Sequence, residues 1–179
     1  MTDNAIMLKV KSGDLNKMSL LFERHHRPLY GFLFHSTGQK ESSEDMVQNV
    51  FYRMLKYRHT FKGEGEFKTW MYHLARNVLN DYVKKNKPFV HKNDWVEYAE
   101  KLPVSESADT TIQKEEEISM LNKAISNLSH ESREVLILSR FQELKYEEIG
   151  RILEISEGAV KVRVHRAMNQ LKNSLLVTR

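Results

Sequence analysis

Three cations and a histidine crowd one short stretch of this 179-residue sequence: Lys161, Arg163, His165 and Arg166. Lys and Arg donors can meet guanine O6 and N7 in a major groove, or the phosphates beside it. A second stretch interleaves Phe61, Phe67, Trp70 and Tyr72 with Lys62, Lys68, Arg76, Lys84 and Lys85. Bases stack on aromatic faces while cations follow the backbone, so this pattern suits single-stranded nucleic acid. Spacing alone favours a plainer reading, in which Trp70 and Tyr72 are core residues of a small bundle. Other chemistry finds little support. Of eight His, none stands in His-x-x-x-His or His-Glu-x-x-His spacing, and adjacent His25 and His26 point to different sides of a helix. The absence of Cys excludes disulfides, thiolate zinc sites and a Cys nucleophile. Gly63-x-Gly65 lacks the third Gly and the preceding strand of a dinucleotide fingerprint, and no Gly-x-Ser-x-Gly elbow or phosphate loop is present. Glu147 and Glu148 read as solvated charge on a helix. The expectation is a protein that is not an enzyme and takes no metal or cofactor.

The elements that must position these residues are helices. Ser129 is a fitting N-cap for a helix carrying Val135, Leu136, Leu138 and Phe141, which breaks at 142–144. Tyr146 to Leu153 make a short helix, Glu154-Ile155 a turn, and Ser156 caps a longer helix reaching about Leu176. In that last helix Val160, Val164, Ala167/Met168 and Leu171 recur every three to four residues and turn the cations outward. Short helix, tight turn and capped basic helix make a helix-turn-helix, with Gly150 small where its helices cross. A generic helical hairpin with a solvated basic side has the same pattern.

Upstream, Leu15 to Leu33 is apolar at mostly helical spacing, and Pro28 is expected to break or kink it, or to begin a new helix. Ser42 followed by Asp45 resembles a capping box for a helix whose apolar face is Val47, Val50, Phe51, Met54 and Leu55. Asp45, Gln48, Asn49 and Tyr52 lie off that stripe and are free to meet a partner. The two glycines of Phe61 to Phe67 mark a loop, and 69–85 reads as a helix, aromatic at its start and basic at its end.

Charge follows the same organisation. Residues 1–88 carry 15 Lys+Arg against 9 Asp+Glu, a net +6; residues 89–117 carry 3 against 8, a net −5; residues 118–179 carry 10 against 7, a net +3. Two basic blocks therefore flank an acidic connector, which suits a polyanion partner. Within the connector Pro88, Pro103 and the stretch 105–111 read as linker, and 93–101 as a short helix around Trp95. With three Pro and seven Gly in the chain, the expected class is all-α: domain 1–88, flexible acidic linker 89–114 and helix-turn-helix domain 115–179. No apolar run approaches the roughly 20 residues needed to span a bilayer, Met1 to Lys11 lacks a signal-peptide core, and a reducing, cytoplasmic setting is expected.

Two motifs carry a family resemblance. Ser43-Glu44-Asp45-Met46-Val47-Gln48-Asn49-Val50-Phe51 followed by Phe67-Lys68-Thr69-Trp70-Met71-Tyr72-His73-Leu74-Ala75-Arg76-Asn77 resembles the N-terminal domain of sigma-70-family factors. Tyr146-Glu147-Glu148-Ile149-Gly150 with Ser156-Glu157-Gly158-Ala159-Val160-Lys161-Val162-Arg163-Val164-His165-Arg166-Ala167 resembles their C-terminal domain. The short two-domain layout resembles the extracytoplasmic-function subgroup. The resemblance implies a dissociable subunit of bacterial RNA polymerase, nucleoid-associated when in holoenzyme, that reads the −35 duplex and melts the −10 element. Asp45, Gln48, Asn49, Tyr52 and Arg53 would meet the coiled coil of the largest polymerase subunit, and the flap of the second-largest subunit would be a further contact. Phe61 and Asn77 would form the pocket for a flipped −10 base, with Lys62, Lys68, Trp70, Arg76, Lys84 and Lys85 along the strand. Ser156, Lys161, Val162, Arg163, His165 and Arg166 would serve the −35 element. The linker would thread the polymerase channels, as a nucleic-acid mimic or as a bland tether. An anti-sigma protein, often membrane-anchored, would be an inhibitor. The sequence departs from the usual pattern at Lys145 (a hydroxyl cap elsewhere), Ala159 (Thr elsewhere) and Val162, where a thymine-methyl contact replaces a polar one. The other class considered is a stand-alone helix-turn-helix regulator.

Overall fold

The sequence's 3.6-residue apolar period is realised throughout the computed structural model, which describes residues 1–86 and 108–177. Every regular element among the described residues is helical. The first half holds α1 (Asp3–Lys11), α2 (Met18–Thr37), α3 (Lys40–Lys56) and α4 (Phe67–Lys85). The second holds α5 (Ala108–Ser126), α6 (His130–Leu136) running into a π-helical turn (Ile137–Phe141), α7 (Tyr146–Leu153) and α8 (Glu157–Val177).

In the first half, α2, α3 and α4 pack face to face around Leu29, Phe32, Leu33, Val50, Met54, Met71 and Leu79. Burying each such side chain stabilises the fold by roughly 1.5–3 kcal/mol. That burial explains why α2 continues as one helix through Pro28, so neither the expected break nor a new helix occurs there. Proline there removes one backbone donor, a penalty of about 3 kcal/mol. Leu21, His25, Leu29 and Phe32 keep one buried stripe on both sides of it and offset the loss. The capping box expected at Ser42 also does not form. Helix α3 begins at Lys40, three residues before the start a Ser42 cap would set, and Ser43 turns inward to donate to the Gln39 carbonyl. Ser42 instead accepts from the Tyr82 hydroxyl at 3.1 Å.

In the second half, Ser129 and Ser156 cap as read: their hydroxyls accept from the amides of Ser132 (3.3 Å) and Ala159 (3.1 Å). Helix α7 starts without a hydroxyl cap. The Glu148 carboxylate reaches back to the Lys145 amide at 2.7 Å and does the same work. Gly150 is required at the α7–α8 crossing, since a Cβ there would stand 2.8 Å from the Ile155 carbonyl oxygen. Val160, Val164, Ala167 and Leu171 face the core as their spacing predicts. Helix α5 starts at Ala108, inside the segment read as linker. The short helix expected over 93–101 lies outside the described residues, as does most of 89–114.

The two halves meet along a seam. Helix α4 packs on α7, and α2 packs on the π turn. The buried apolar residues of both halves form one continuous core.

Candidate functional site

The outer side of α3 follows directly from its amphipathic pattern. With Val47, Val50, Phe51 and Met54 buried, Asp45, Gln48, Asn49 and Tyr52 face solvent, and Tyr52 is 62% exposed. Arg53 completes the stripe at i, i+4 from Asn49. Its guanidinium donates to Asn49 Oδ1 at 3.1 Å and to Asp81 Oδ2 at 2.7 Å, which holds it against α4. Beside the stripe, α2 and α3 enclose a cleft of about 530 Å³ lined by Phe22, Tyr30, Val47 and Gln48 among others. Phe22 is 42% exposed, stacked on His26 at 4.9 Å and tilted on Phe51. The sequence marked Phe22 only as part of an apolar run. Its position at the stripe's margin emerges from the α2–α3 packing.

The loop after α3 turns on Gly63 and Gly65, both at positive φ, a conformation open to glycine at no steric penalty. Lys62 and Lys68 are exposed as read. Phe61 is not a free stacking face: it is 3% exposed and tilts against Phe67 and Trp70. The reason is its place between two helices, where its ring closes the end of the core. A small pocket of about 280 Å³ nevertheless opens here, lined by Phe61, Lys62, Thr69, Trp70 and His73, with Arg151 from α7. Trp70 is half-buried, its indole N–H donating to Thr60 Oγ1 at 3.3 Å. Thr69 Oγ1 is buried and meets no hydrogen-bond partner among the described residues. Asn77 is exposed one further turn along the Trp70–His73 face of α4, outside the pocket lining. Lys84 and Lys85 are exposed at the end of α4. Tyr72 is a core residue, edge-on to Phe32 at 5.4 Å, and burial pushes its hydroxyl well above the usual tyrosine range.

Arg76 is committed elsewhere. Its guanidinium grips the Glu134 carboxylate at 2.6 and 3.3 Å and donates to the Ile152 carbonyl at 3.0 Å. Both partners belong to the second half, so Arg76 lies across the seam. Tyr72 donates to Gln142 Oε1 at 2.8 Å, and Arg133 donates to the Ser36 carbonyl at 3.1 Å, across the same seam. His35 lies against the Phe141 ring at 4.2 Å. Burial drives its imidazole down to about 4, so it is neutral near pH 7. Glu66 and Glu148 meet here as well, and their shared hydrogen bond raises the Glu66 carboxyl.

On α8, Lys161, Val162, His165 and Arg166 are exposed and line a groove of about 560 Å³. Val162 is 47% exposed, an apolar side chain offered to the solvent side. Arg163 stands apart, turned toward Glu131 at 4.0 Å. Ser156 is exposed at the helix start, with its hydroxyl engaged by the Ala159 amide. Sequence reasoning missed Arg140, Asn169 and Lys172 in this groove. Asn169 and Lys172 continue the Lys161–His165 line at helical spacing, so the signal was present. Arg140 sits on the π turn and arrives through tertiary packing alone. Asn169 is within 3.2 Å of the His165 ring.

These surfaces coincide with matches to known proteins. Residues 21–89 match Sigma-70 region 2, and residues 118–171 match Sigma-70, region 4. The ECF RNA polymerase sigma factor SigX of Bacillus subtilis (strain 168) is 30% identical over 168 residues, covering 89% of this chain and 84% of the relative. SigW of the same organism, also an ECF RNA polymerase sigma factor, is 28% identical over 174 residues, covering 93% of each. Among solved structures, CnrH in complex with the cytosolic domain of CnrY aligns over 99% of both chains, with a TM-score of 0.76 and 18% identity. RpoE of Bartonella quintana, solved with the anti-sigma factor NepR, has a TM-score of 0.67 at 22% identity over 90% of this chain and 98% of that one.

Proposed function

We propose how this chain works from the premise that it belongs to the sigma-70 family of RNA polymerase sigma factors, in the extracytoplasmic-function subgroup. It binds core RNA polymerase and directs promoter-specific initiation, reading the −35 duplex and melting the −10 element. One observation carries our assignment of faces: each family region falls on helices that turn an exposed polar stripe outward. In this reading the α3 stripe, Asp45, Gln48, Asn49, Tyr52 and Arg53, meets the coiled coil of the largest subunit, and the flap of the second-largest subunit meets the second half. The pocket of Lys62, Thr69, Trp70 and His73 receives the flipped −10 base, with Phe61 as its wall. Lys68, Asn77, Lys84 and Lys85 follow the strand. Lys161, Val162, His165 and Arg166 read the −35 duplex, while Ser156 and Arg163 meet phosphates. Arg76 joins the phosphate contacts only once it releases Glu134, so the seam must open in the holoenzyme. The segment 89–114 spans the polymerase channels between the two elements. The protein acts in the cytoplasm as an initiation factor rather than an enzyme, and an anti-sigma partner covers its polymerase-binding face.

Co-purification with core polymerase, followed by run-off transcription from a library of promoter fragments, tests the reading. Asp45→Ala and Gln48→Ala are expected to weaken core binding by about 1 kcal/mol each, roughly fivefold in Kd. Their urea midpoints should stay at the wild-type value, since both side chains are exposed. Wild-type affinity in both variants would remove α3 from the core interface.

A further inference from the structure

Helix α1 lies upstream of the residues that match Sigma-70 region 2, yet it touches the loop 61–67 at both ends and in the middle. The Asn4 amide donates through Nδ2 to the Gly65 carbonyl at 2.8 Å. Its Oδ1 accepts from the Phe67 amide at 2.7 Å. The two partners, one acceptor and one donor, fix the orientation of the Asn4 amide. Lys11 Nζ donates to the Phe61 carbonyl at 2.7 Å. Leu8 packs under Gly63, its Cδ2 only 3.0 Å from where a Cβ would stand.

Between its buried ends, Phe61 and Phe67, the loop has little else to hold it. Among the described residues no backbone–backbone hydrogen bond involves 62–65. Helix α4 begins at Phe67 without a side-chain cap from Glu66. Its first amide is one of the donors that a helix leaves unpaired, and Asn4 supplies the acceptor from 63 residues away. Helix α1 can serve as a fixed support because it is itself anchored. Ile6, Met7 and Val10 are fully buried, and Asp3 binds Arg24 at 2.7 Å and His25 at 2.8 Å.

We propose that Asn4 and Lys11 are positioning residues for promoter melting: they hold loop 61–67 in the shape that admits the unstacked −10 base. The inference rests on reading that loop as the −10 pocket. The experiment uses holoenzyme assembled from the full chain and core polymerase. Promoter opening is followed by 2-aminopurine fluorescence in the non-template −10 strand. Asn4→Ala and Lys11→Met are expected to slow opening by about tenfold each, the usual weight of a lost, well-oriented hydrogen bond. Core affinity and binding to a −35 duplex fragment should be unchanged. Lys11→Arg keeps a donor and should recover opening. Asn4→Asp keeps only the acceptor for Phe67 and should fall between wild type and Asn4→Ala. Lys11 is exposed, so its two variants stay folded and keep the test decisive if Asn4→Ala does not. Wild-type opening in Asn4→Ala and Lys11→Met, with opening slowed in Lys62→Ala/Lys68→Ala, would overturn the brace and leave the pocket reading standing. Wild-type opening in all of these variants would overturn both.

Discussion

Arg166 and His35 show how differently two exposed-looking letters in a sequence can behave. Arg166 stays at the surface of α8, in the groove with Lys161 and His165. If its guanidinium reads a base edge, Arg166→Ala should weaken recognition of the cognate −35 duplex by about 1–3 kcal/mol. An unchanged footprint with an unchanged salt slope would sink that role. His35 is drawn into the seam against Phe141, and burial lowers it to about 4. Between the unfolded value near 6.5 and that folded value, the unfolded chain takes up the extra proton. Stability therefore falls as pH drops through this window, by about 2 kcal/mol from pH 7 to pH 5. The urea midpoint measured across that range should slope less in His35→Leu than in the wild type. Equal slopes would place the acid sensitivity elsewhere.

At the scale of elements, Gly150 is the tightest constraint. A methyl group there would drive into the Ile155 carbonyl at 2.8 Å. Gly150→Ala should cost about 1–3 kcal/mol, read as a lower thermal midpoint, and should shift α8 relative to α7. The helix-turn-helix was legible because its signals are local: a capped start, a 3.6 period, a small residue at the crossing. Helix α3 was legible for the same reason. Pro28 does not end α2 because its local penalty is outweighed by burial that the sequence does not display. Ser42 misled because the helix starts three residues further back, at a Gln39 cap, which leaves Ser42 within its first turn beside the Tyr82 hydroxyl. Phe61 read as an aromatic face open to a base; in the fold it is buried and forms the wall of a small cavity. Only packing against Phe67 and Trp70 decides between the two. Helix α1 gave no strong signal, having one short Ile6-Met7-Leu8 cluster. Its function lies in contacts to residues about sixty positions away.

For the whole molecule, the seam sets what is available to DNA. Arg76 and Glu134 keep 25% and 8% of their side chains exposed, between a surface pair and a buried one. The charge-assisted hydrogen bonds of such a pair are worth roughly 1.5–3 kcal/mol, part of which desolvation offsets. The sequence read Arg76 as a strand contact from its place on a basic helix. It could not reveal a partner 58 residues later. Glu134→Gln should loosen the seam while preserving shape. The chain contains no Cys, so Glu41→Cys and Asn169→Cys would carry a donor and acceptor dye at two exposed sites, one in each half. Transfer efficiency in the free protein should fall in the Glu134 variant; no change would show that the remaining seam contacts, Tyr72–Gln142, Arg133–Ser36 and His35–Phe141 among them, suffice to hold the halves closed. The span from Asn4 to Gly65 has a different kind of consequence, for recombination. A chimera cut at the edges of the matched region, 21–89, would transplant the loop and leave its support behind. Preference at the −10 element in such a hybrid would drift although every −10-facing residue had been carried across. The transferable unit of this protein begins at its first helix.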